Sequence, residues 1–236
     1  MDFETGTEMS DFFRFPRTPH LAWLGSGEPR DDKLLSPVEA AALLGRAVVV
    51  EEKLDGANLG ISLGADGRLH AQNRGQYLRE PYSGQFTRLD AWRAAHEGAL
   101  ARALGEHLIA FGEWCAARHS LDYGALPDWL LLFDIYDRRE RRFWSTSRRN
   151  AWAHALGLAV VPMLFRGRID LSGLRTLLES APSRFRSGPM EGVVVRVEDE
   201  SWLFERAKLV RADFTQQIDT HWRRRALQWN RRAYPS

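Results

Sequence analysis

The spacing of the β-rich segments constrains the fold of this 236-residue chain more than any other feature of its sequence. Two of these segments, Asn58 to Leu63 and Arg68 to Asn73, are separated only by the turn Gly64 to Gly67, which favours an antiparallel hairpin. The remaining segments do not alternate strictly with helices, so the pattern predicts an α+β fold with mainly antiparallel sheets and flanking helices. The other predicted strands are Ala47 to Glu52, His107 to Glu113, Trp129 to Tyr136, Leu158 to Leu164, Gly192 to Val197 and Ser201 to Arg206.

No repeat, low-complexity tract or linker divides the chain, so residues 1–236 are predicted to form a single domain. Residues 1–36 are an irregular lead-in rich in aromatic residues, proline and glycine. The first predicted helix follows Ser36 and Pro37, which suit the cap and first turn of a helix. The predicted helices are Val38 to Leu44, Asp90 to Leu104, Ser145 to Leu156, Leu171 to Ser180, and Phe214 to about Arg232 within a basic-aromatic C-terminal region, 214–236.

The composition is that of a soluble globular chain, with 44% apolar and 27% charged residues. The single cysteine, Cys115, excludes an internal disulfide and fits a reducing compartment. No apolar run is long enough to span a membrane, and residues 1–10 lack the layout of a secretion signal. We therefore expect a cytoplasmic protein with no membrane partner.

Lysine is rare in this chain, which has only Lys33, Lys53 and Lys208 among its 33 basic residues. The net charge of +2 is too small to indicate a nucleic-acid partner by itself. Since arginine stands at most basic positions, a remaining lysine can mark a place that arginine cannot fill. One such place is a nucleophile, because an amine can lose its proton whereas a guanidinium stays protonated.

The strongest local motif surrounds Lys53, at the end of a hydrophobic strand. The Asp55-Gly56 pair then turns the chain into the next strand. An amine at such a strand end can act as a nucleophile, or it can simply flank a hairpin turn. Glu113 and Glu191 also lie at strand ends beside glycine, and burial of either requires a cation, a metal or a hydrogen-bond donor. Taken singly, each glutamate is equally compatible with a salt-bridged surface residue.

The order of four motifs is more specific than any one of them. Lys53-x-Asp55-Gly56 is followed by Phe-Gly-Glu at 111–113, by Glu-Gly-Val-Val-Val-Arg at 191–196, and by a strand that bears Lys208. From about Val48 to Phe214, this order resembles the covalent nucleotidyltransferase superfamily of ATP-dependent ligases and capping enzymes. Within that superfamily, the chain is similar to RNA ligases of the phage double-strand-repair type.

The resemblance implies a fold and a reaction. The fold is an adenylyltransferase domain, ATP-grasp-like, whose sheets enclose a nucleotide pocket. Lys53 would attack the α-phosphate of ATP and become a lysyl-AMP, and the AMP would pass to a 5′-phosphate end that is then sealed to a 3′-OH end. Lys208 would neutralise the α-phosphate during both transfers. The implied partner is RNA, or a nicked RNA/DNA duplex, with such ends.

The resemblance also implies further contacts in the site. Carboxylate oxygens suit hydrated Mg²⁺ or Mn²⁺, and the implied metal set is Asp55, Glu113 and Glu191. The implied nucleotide contacts are Glu52 near the adenine, Asn58 at the close of the lysine motif, Arg74 at the ribose and phosphates, Phe133 stacked on the purine beside Asp134, Glu113 and Glu191 with one of the two near the ribose, Arg206 and Lys208.

Two departures from the family pattern stand out. Arg206 occupies the position of a usual lysine, and because arginine also contacts phosphate we expect activity to survive. The chain ends soon after Arg211, so it is expected to have no OB-fold and no helical C-terminal module. Contact with nucleic acid is then expected from the core domain, the lead-in, or a partner protein that supplies the missing module.

Two basic regions are open to two interpretations. The C-terminal region combines arginine with tryptophan, which is typical of RNA binding, but Ile218, Trp222, Ala226, Trp229 and Ala233 have the spacing of an inward-facing helix side. Arg138 to Arg142 is either a solvated loop or a phosphate contact. The alternatives to an RNA ligase are an ATP-dependent DNA ligase, a GTP-using capping enzyme, and a noncatalytic RNA-binding protein that retains the pocket.

Overall fold

Two antiparallel sheets with flanking helices make up the described part of the protein, which confirms the predicted α+β fold. The structure is a computed structural model that describes residues 12–26, 33–217 and 227–233. None of the helices in these ranges is long and apolar enough to cross a membrane. The helices are α1 (Pro37–Leu44), α2 (Leu89–Leu104), α3 (Thr146–Ala155), α4 (Leu171–Ser180) and α5 (Ala212–Gln217). The strands are β1 (Val48–Lys53), β2 (Ala57–Leu63), β3 (Leu69–Gln72), β4 (Leu108–Trp114), β5 (Leu130–Asp137), β6 (Arg142–Phe143), β7 (Met163–Gly167), β8 (Gly192–Glu198) and β9 (Leu203–Val210).

The connection between β1 and β2 passes from one sheet to the other. The four-stranded sheet has the order β7-β1-β8-β9, and the five-stranded sheet has the order β3-β2-β4-β5-β6. β2 and β3 form the predicted hairpin, in which Gly67 has a φ of 72° that suits glycine. The turn after β1 therefore lies at the junction of the two sheets.

Each sheet packs its own apolar cluster on one face. In the four-stranded sheet, Val50 and Val193 pack with Leu174 of α4. In the five-stranded sheet, Leu59 packs in a cluster that includes Trp92 of α2. The alternation of side chains along each strand leaves the opposite faces for polar residues.

A buried cluster of arginines and carboxylates joins the two sheets. Arg196 on β8 donates to Asp134 Oδ1 on β5 at 2.9 Å. Arg149 of α3 binds Glu51 on β1 through two hydrogen bonds, of 2.5 Å to Oε1 and 3.2 Å to Oε2. Both guanidinium groups also donate to the carbonyl oxygen of Phe133. Because a buried charge without a partner is strongly unfavourable, these contacts fix how the sheets face each other.

The predicted strand Leu158 to Leu164 is wrong in part, because β7 begins at Met163. Residues 158–162 cross between the sheets instead. Leu132 of β5 forms two backbone hydrogen bonds with this segment. Its N–H donates to Ala159 O at 2.9 Å, and its carbonyl oxygen accepts from Val161 N at 3.0 Å. Pro162 O then accepts from Glu52 N of β1 at 2.9 Å. A segment with hydrogen-bond partners in two sheets cannot remain in the ladder of either.

The predicted helix from Phe214 to Arg232 is confirmed over 214–217, which belong to α5, and is wrong over 227–232. Residues 227–233 are extended, and residues 218–226 lie outside the described part of the chain. The backbone of the extended segment binds a distant loop, with Asn230 N donating to Ala116 O and Arg231 N donating to Tyr123 O. These bonds replace the helical ones that the spacing of the apolar residues suggested. Ile218, Trp222 and Ala226 lie outside the described residues.

The charged cluster between the sheets generates a stability prediction. We expect Asp134→Asn to lower the free energy of unfolding by about 3 kcal/mol, because Arg196 and Arg206 lose a buried charged partner. Urea unfolding measures this difference. The matched control is Asp213→Asn, which breaks an exposed pair with Arg211 and should cost less than about 1 kcal/mol. Equal costs for the two variants would contradict the role given to the cluster.

Candidate active site

A cavity of about 450 Å³ lies between the facing sides of the two sheets. The residues with a predicted catalytic or nucleotide-binding role line it, with the exception of Glu191. They come from β1, β2, β4, β5, β9 and the loop after β3. The predicted residues that line the cavity are Glu52, Lys53, Asn58, Arg74, Glu113, Phe133, Arg206 and Lys208.

Lys53 is the last residue of β1, and its amine meets a buried carboxylate. Its Nζ lies 2.5 Å from Glu191 Oε1 and 3.4 Å from the carbonyl oxygen of Leu54. Burial lowers the pKa of Lys53, but the charges of Glu191, Glu113 and Asp55 outweigh burial and leave the pKa raised. The amine is therefore held as an ammonium ion until the surrounding charge changes.

The turn after Lys53 is not the tight hairpin that the Asp-Gly pair suggested, since β1 and β2 belong to different sheets. Glycine is needed there for a different reason. A Cβ on Gly56 would lie 2.6 Å from the carbonyl oxygen of Trp114, and one on Gly192 would lie 2.5 Å from that of Leu209. Both glycines thus allow the backbone of a neighbouring strand to approach closely. This close approach brings Lys53, which precedes Gly56, and Glu191, which precedes Gly192, into one site.

Glu191 is buried against Lys53, and Glu113 is half-buried in the same site. Glu113 stands opposite Asn58 in the sheet, and its Oε1 accepts from Gly56 N at 3.0 Å. Burial raises the pKa of Glu113 to about 7 and that of Glu191 to about 8, although Lys53 opposes both shifts. Lys53 alone therefore does not keep the pKa values of both glutamates at their ordinary level. A further cation in the site would lower these pKa values and favour the ionised carboxylates.

Two buried oxygen atoms in the site have no hydrogen-bond partner among the described residues, Glu191 Oε2 and Asn58 Oδ1. In the same ranges, no group of three or more His, Cys, Asp or Glu side chains is arranged to hold a metal ion directly. The carboxylates of Glu113 and Glu191 and the side-chain oxygen of Asn58 fit a site for Mg²⁺ or Mn²⁺. Such an ion would be held largely through water and substrate oxygens, as Mg²⁺ prefers. Glu113 and Glu191 are therefore suited to the predicted metal site.

Asp55, the third predicted metal ligand, does not line the cavity. Its Oδ2 accepts hydrogen bonds from the backbone of Ser120 at 2.7 Å and of Leu121 at 2.8 Å. Its own N–H donates to the hydroxyl of Tyr123 at 2.8 Å. These bonds, which no local pattern in the sequence indicates, commit one carboxylate oxygen of Asp55 to a loop rather than to the cavity.

Phe133 and Glu52, the two residues that the resemblance implies at the purine, both line the cavity. The carbonyl oxygen of Phe133 is fixed by Arg149 and Arg196. The carboxylate of Glu52 accepts from Ser183 Oγ at 2.5 Å, and burial raises its pKa. The backbone of Phe133 and the side chain of Glu52 are thus held by protein contacts alone.

Arg206 and Lys208 project from β9 toward the cavity, as predicted. Arg206 forms an ion pair with Asp134, and its guanidinium lies 4.5 Å from the ring centre of Phe15 and 4.4 Å from that of Phe143. The backbone of Lys208 is fixed by the lead-in, because Lys208 N donates to Pro19 O at 2.8 Å. Arg206 is therefore part of the junction between the sheets as well as of the cavity wall.

The lead-in contributes to the site in a way that sequence reasoning missed. Phe15 and Thr18 line the cavity, and Phe15 is buried against Phe111 and Phe133 with ring centres 4.8 Å and 5.3 Å apart. The dense aromatic composition of residues 12–15 was the available signal, since such residues usually pack.

The profile of the RNA ligase family matches residues 46–211 of the chain. No curated protein matches its sequence. Among solved structures, it is similar to an RNA ligase from Naegleria gruberi with pyrophosphate, at a TM-score of 0.56 and 20% identity, over 78% of this chain and 54% of that one. An apo variant of the same ligase has a TM-score of 0.57 and 18% identity, over 88% of this chain and 64% of that one. A variant with AMP and Mn has a TM-score of 0.56 and 20% identity, over 87% of this chain and 63% of that one. The chain thus spans less than two thirds of the matched chains, and at these identities the likeness shows the fold.

The raised pKa of Glu113 generates a pH prediction. Between the ordinary value of 4.5 and about 7, the folded protein binds more protons at Glu113 than the unfolded chain does, so the free energy of unfolding falls as the pH rises through this window. We expect Glu113→Gln to make that fall shallower, because glutamine does not titrate. Urea unfolding at pH 5 and pH 8 tests this, with the exposed Glu97→Gln as control. The same pH dependence in all three proteins would contradict the burial effect.

Proposed function

This chain belongs to the RNA ligase family, and we propose that it is an ATP-dependent RNA ligase that uses Lys53 to carry AMP. The observation that carries the proposal is that Lys53, Glu113 and Lys208 line one cavity, and that Lys53 is paired there with Glu191. Such a cavity offers an amine nucleophile, cations for the phosphates and carboxylates for a metal ion, which are the components that phosphoryl transfer requires.

In the first step, Lys53 Nζ attacks the α-phosphorus of ATP. The new P–N bond forms as the bond to the pyrophosphate breaks, and pyrophosphate leaves. Nζ must first lose a proton, and Glu191, whose Oε1 lies 2.5 Å away, is placed to accept it. Glu113 and Glu191 would hold a divalent cation, which would supply positive charge that favours the neutral amine and stabilises the phosphates. Lys208 then faces the negative charge of the transferred group.

In the second step, a 5′-phosphate oxygen of RNA attacks the phosphorus of the lysyl-AMP, and Lys53 is released. The 3′-OH of the other end then attacks the 5′-phosphorus of that activated end and AMP leaves. We propose ends of this kind, in RNA or in a nicked RNA/DNA duplex, as the partners of the chain. A phosphoramidate suits this role because its P–N bond keeps the adenylyl group activated.

The first step is tested by intact mass after incubation with ATP and Mg²⁺ or Mn²⁺, without nucleic acid. We expect the wild type and Lys33→Ala to gain one AMP, and Lys53→Ala to gain none. Lys33 is a matched control because its side chain is 71% exposed and lies outside the cavity. An AMP adduct on Lys53→Ala would contradict the assignment of the nucleophile.

Parallel reactions with GTP and NAD⁺ separate the alternatives. An adduct from GTP alone would indicate a capping enzyme, and one from NAD⁺ would change the cofactor. No adduct on folded wild-type protein would favour a noncatalytic RNA-binding protein. Sealing of nicked DNA in preference to RNA by the adenylylated protein would indicate a DNA ligase.

We further propose that RNA contacts a stack of arginine and tryptophan beside the cavity. Arg88 lies between two rings, 4.8 Å from the centre of Trp129 and 4.3 Å from that of Trp229. Arg232 lies 5.1 Å from Trp129. Arg88 follows closely after Gln85, which lines the cavity. A guanidinium held by rings loses little further freedom when it binds a phosphate.

The stack gives a prediction for RNA binding. We expect Arg88→Ala and Arg232→Ala to weaken binding of 5′-phosphorylated RNA and each to lower the salt slope by about 1, with AMP uptake unchanged. Fluorescence anisotropy at several salt concentrations measures this. The control is Arg46→Ala, an arginine of similar exposure that pairs with Glu205. Equal slopes for all variants would place the RNA elsewhere.

A further inference from the structure

We propose that the extended segment 227–233 positions Lys53 through Asn230, which acts as a positioning residue for the first step. Asn230 is only 2% exposed although its neighbours in the segment are mostly exposed. Its Nδ2 donates to Cys115 O at 2.8 Å and to Ala117 O at 3.3 Å, and its Oδ1 accepts from Tyr123 N at 2.9 Å. One side chain thus holds both ends of the loop 115–123.

The same loop holds Asp55 by three further hydrogen bonds. Ser120 N and Leu121 N donate to Asp55 Oδ2, and Asp55 N donates to the hydroxyl of Tyr123. Tyr123 is fully buried and packs with Leu54 and Cys115 in one apolar cluster. The loop therefore binds both residues that immediately follow Lys53, one by packing and the other by hydrogen bonds.

Lys53 depends on these contacts because of its place in the sheet. It is the last residue of β1, and Leu54 and Asp55 belong to neither strand. The ladder of the sheet fixes the chain as far as Lys53, and the loop fixes it from Leu54 onward. A nucleophile must face the reacting phosphorus in line, and a displacement of about 1 Å can cost a hundredfold in rate. Asn230 closes the loop, so it sets the geometry from which Nζ attacks.

The inference rests on the proposed function for its kinetic consequence. On the side where we propose the adenine, Glu52 is held by Ser183 and Arg184, and no hydrogen bond described joins Glu52 or Phe133 to segment 227–233. Loss of Asn230 should therefore slow AMP transfer more than it weakens ATP binding. A purely structural role would lower the fraction of folded protein and leave the rate per folded molecule unchanged.

The test compares Asn230→Ala with Gln228→Ala, whose side chain is exposed in the same segment. AMP uptake is followed by intact mass over a range of ATP concentrations, and the folded fraction is measured by circular dichroism. We expect Asn230→Ala to lower the rate constant between about tenfold and a hundredfold, with the KM for ATP within about twofold of the wild type. Gln228→Ala should match the wild type. A wild-type rate constant in Asn230→Ala would overturn the proposal.

A double-mutant cycle tests whether Asn230 acts through the loop. Tyr123→Phe keeps the ring and removes the hydroxyl that accepts from Asp55 N. We expect Asn230→Ala combined with Tyr123→Phe to be little slower than the slower single variant, because both remove the same link. Fully additive effects on the rate would overturn the link. If Asn230→Ala does not fold, Tyr123→Phe alone must show the lowered rate constant with an unchanged KM, and a wild-type rate would overturn the proposal.

Hydrogen exchange separates a failure of this inference from a failure of the proposed function. It reads the amides of Asp55, Ser120 and Leu121 without ATP or RNA. Faster exchange at all three in Asn230→Ala, but not in Gln228→Ala, supports the link even if the wild type takes up no AMP. Unchanged exchange overturns the link even if the wild type is an active ligase.

Discussion

The buried ion pairs between the two sheets are the interaction on which the rest of the structure depends. The cavity is the space between the sheets, so its width is set by Arg196 with Asp134 and by Arg149 with Glu51. The two largest apolar clusters lie on the other faces of the sheets, away from the cavity. Buried ion pairs add little stability compared with apolar contacts, but they make a misplaced partner costly. Buried ion pairs therefore suit a site whose two sheets must be held at a defined separation.

Much of the site could be predicted because its chemistry lies at strand ends. Lys53, Glu113 and Glu191 each follow or precede an apolar run, both glutamates adjoin a glycine, and Lys53 and Lys208 are two of the three lysines in the chain. Such positions are costly for a charged residue unless it has a task, so sequence alone can find them. The hairpin of β2 and β3, with Gly67 in its turn, was predictable for a different reason. A short turn depends on its own residues and needs no distant partner.

The parts that could not be predicted all depend on distant hydrogen bonds. The C-terminal tryptophans have helical spacing, yet Asn230 lies in an extended segment because the loop 115–123 satisfies it. Asp55 Oδ2 accepts from backbone amides that are distant in sequence, which the strand pattern could not indicate, and its role at a metal ion stays a prediction. Nothing in the sequence indicated that Arg149 is buried, because an arginine in a helical segment has the same local pattern whether it is buried or exposed. No local periodicity records a partner of this kind.

The order of strands in the four-stranded sheet affects when the site can form during synthesis. β1 is synthesised before both of its neighbours, β7 and β8. The carboxylate that pairs with Lys53 follows at Glu191, and Lys208 comes later still. Folding that requires such long-range pairing is slow and must await the later strands. A nascent chain therefore carries Lys53 without Glu191 and Lys208 beside it, and the pocket between the sheets can close only after β9 has been synthesised.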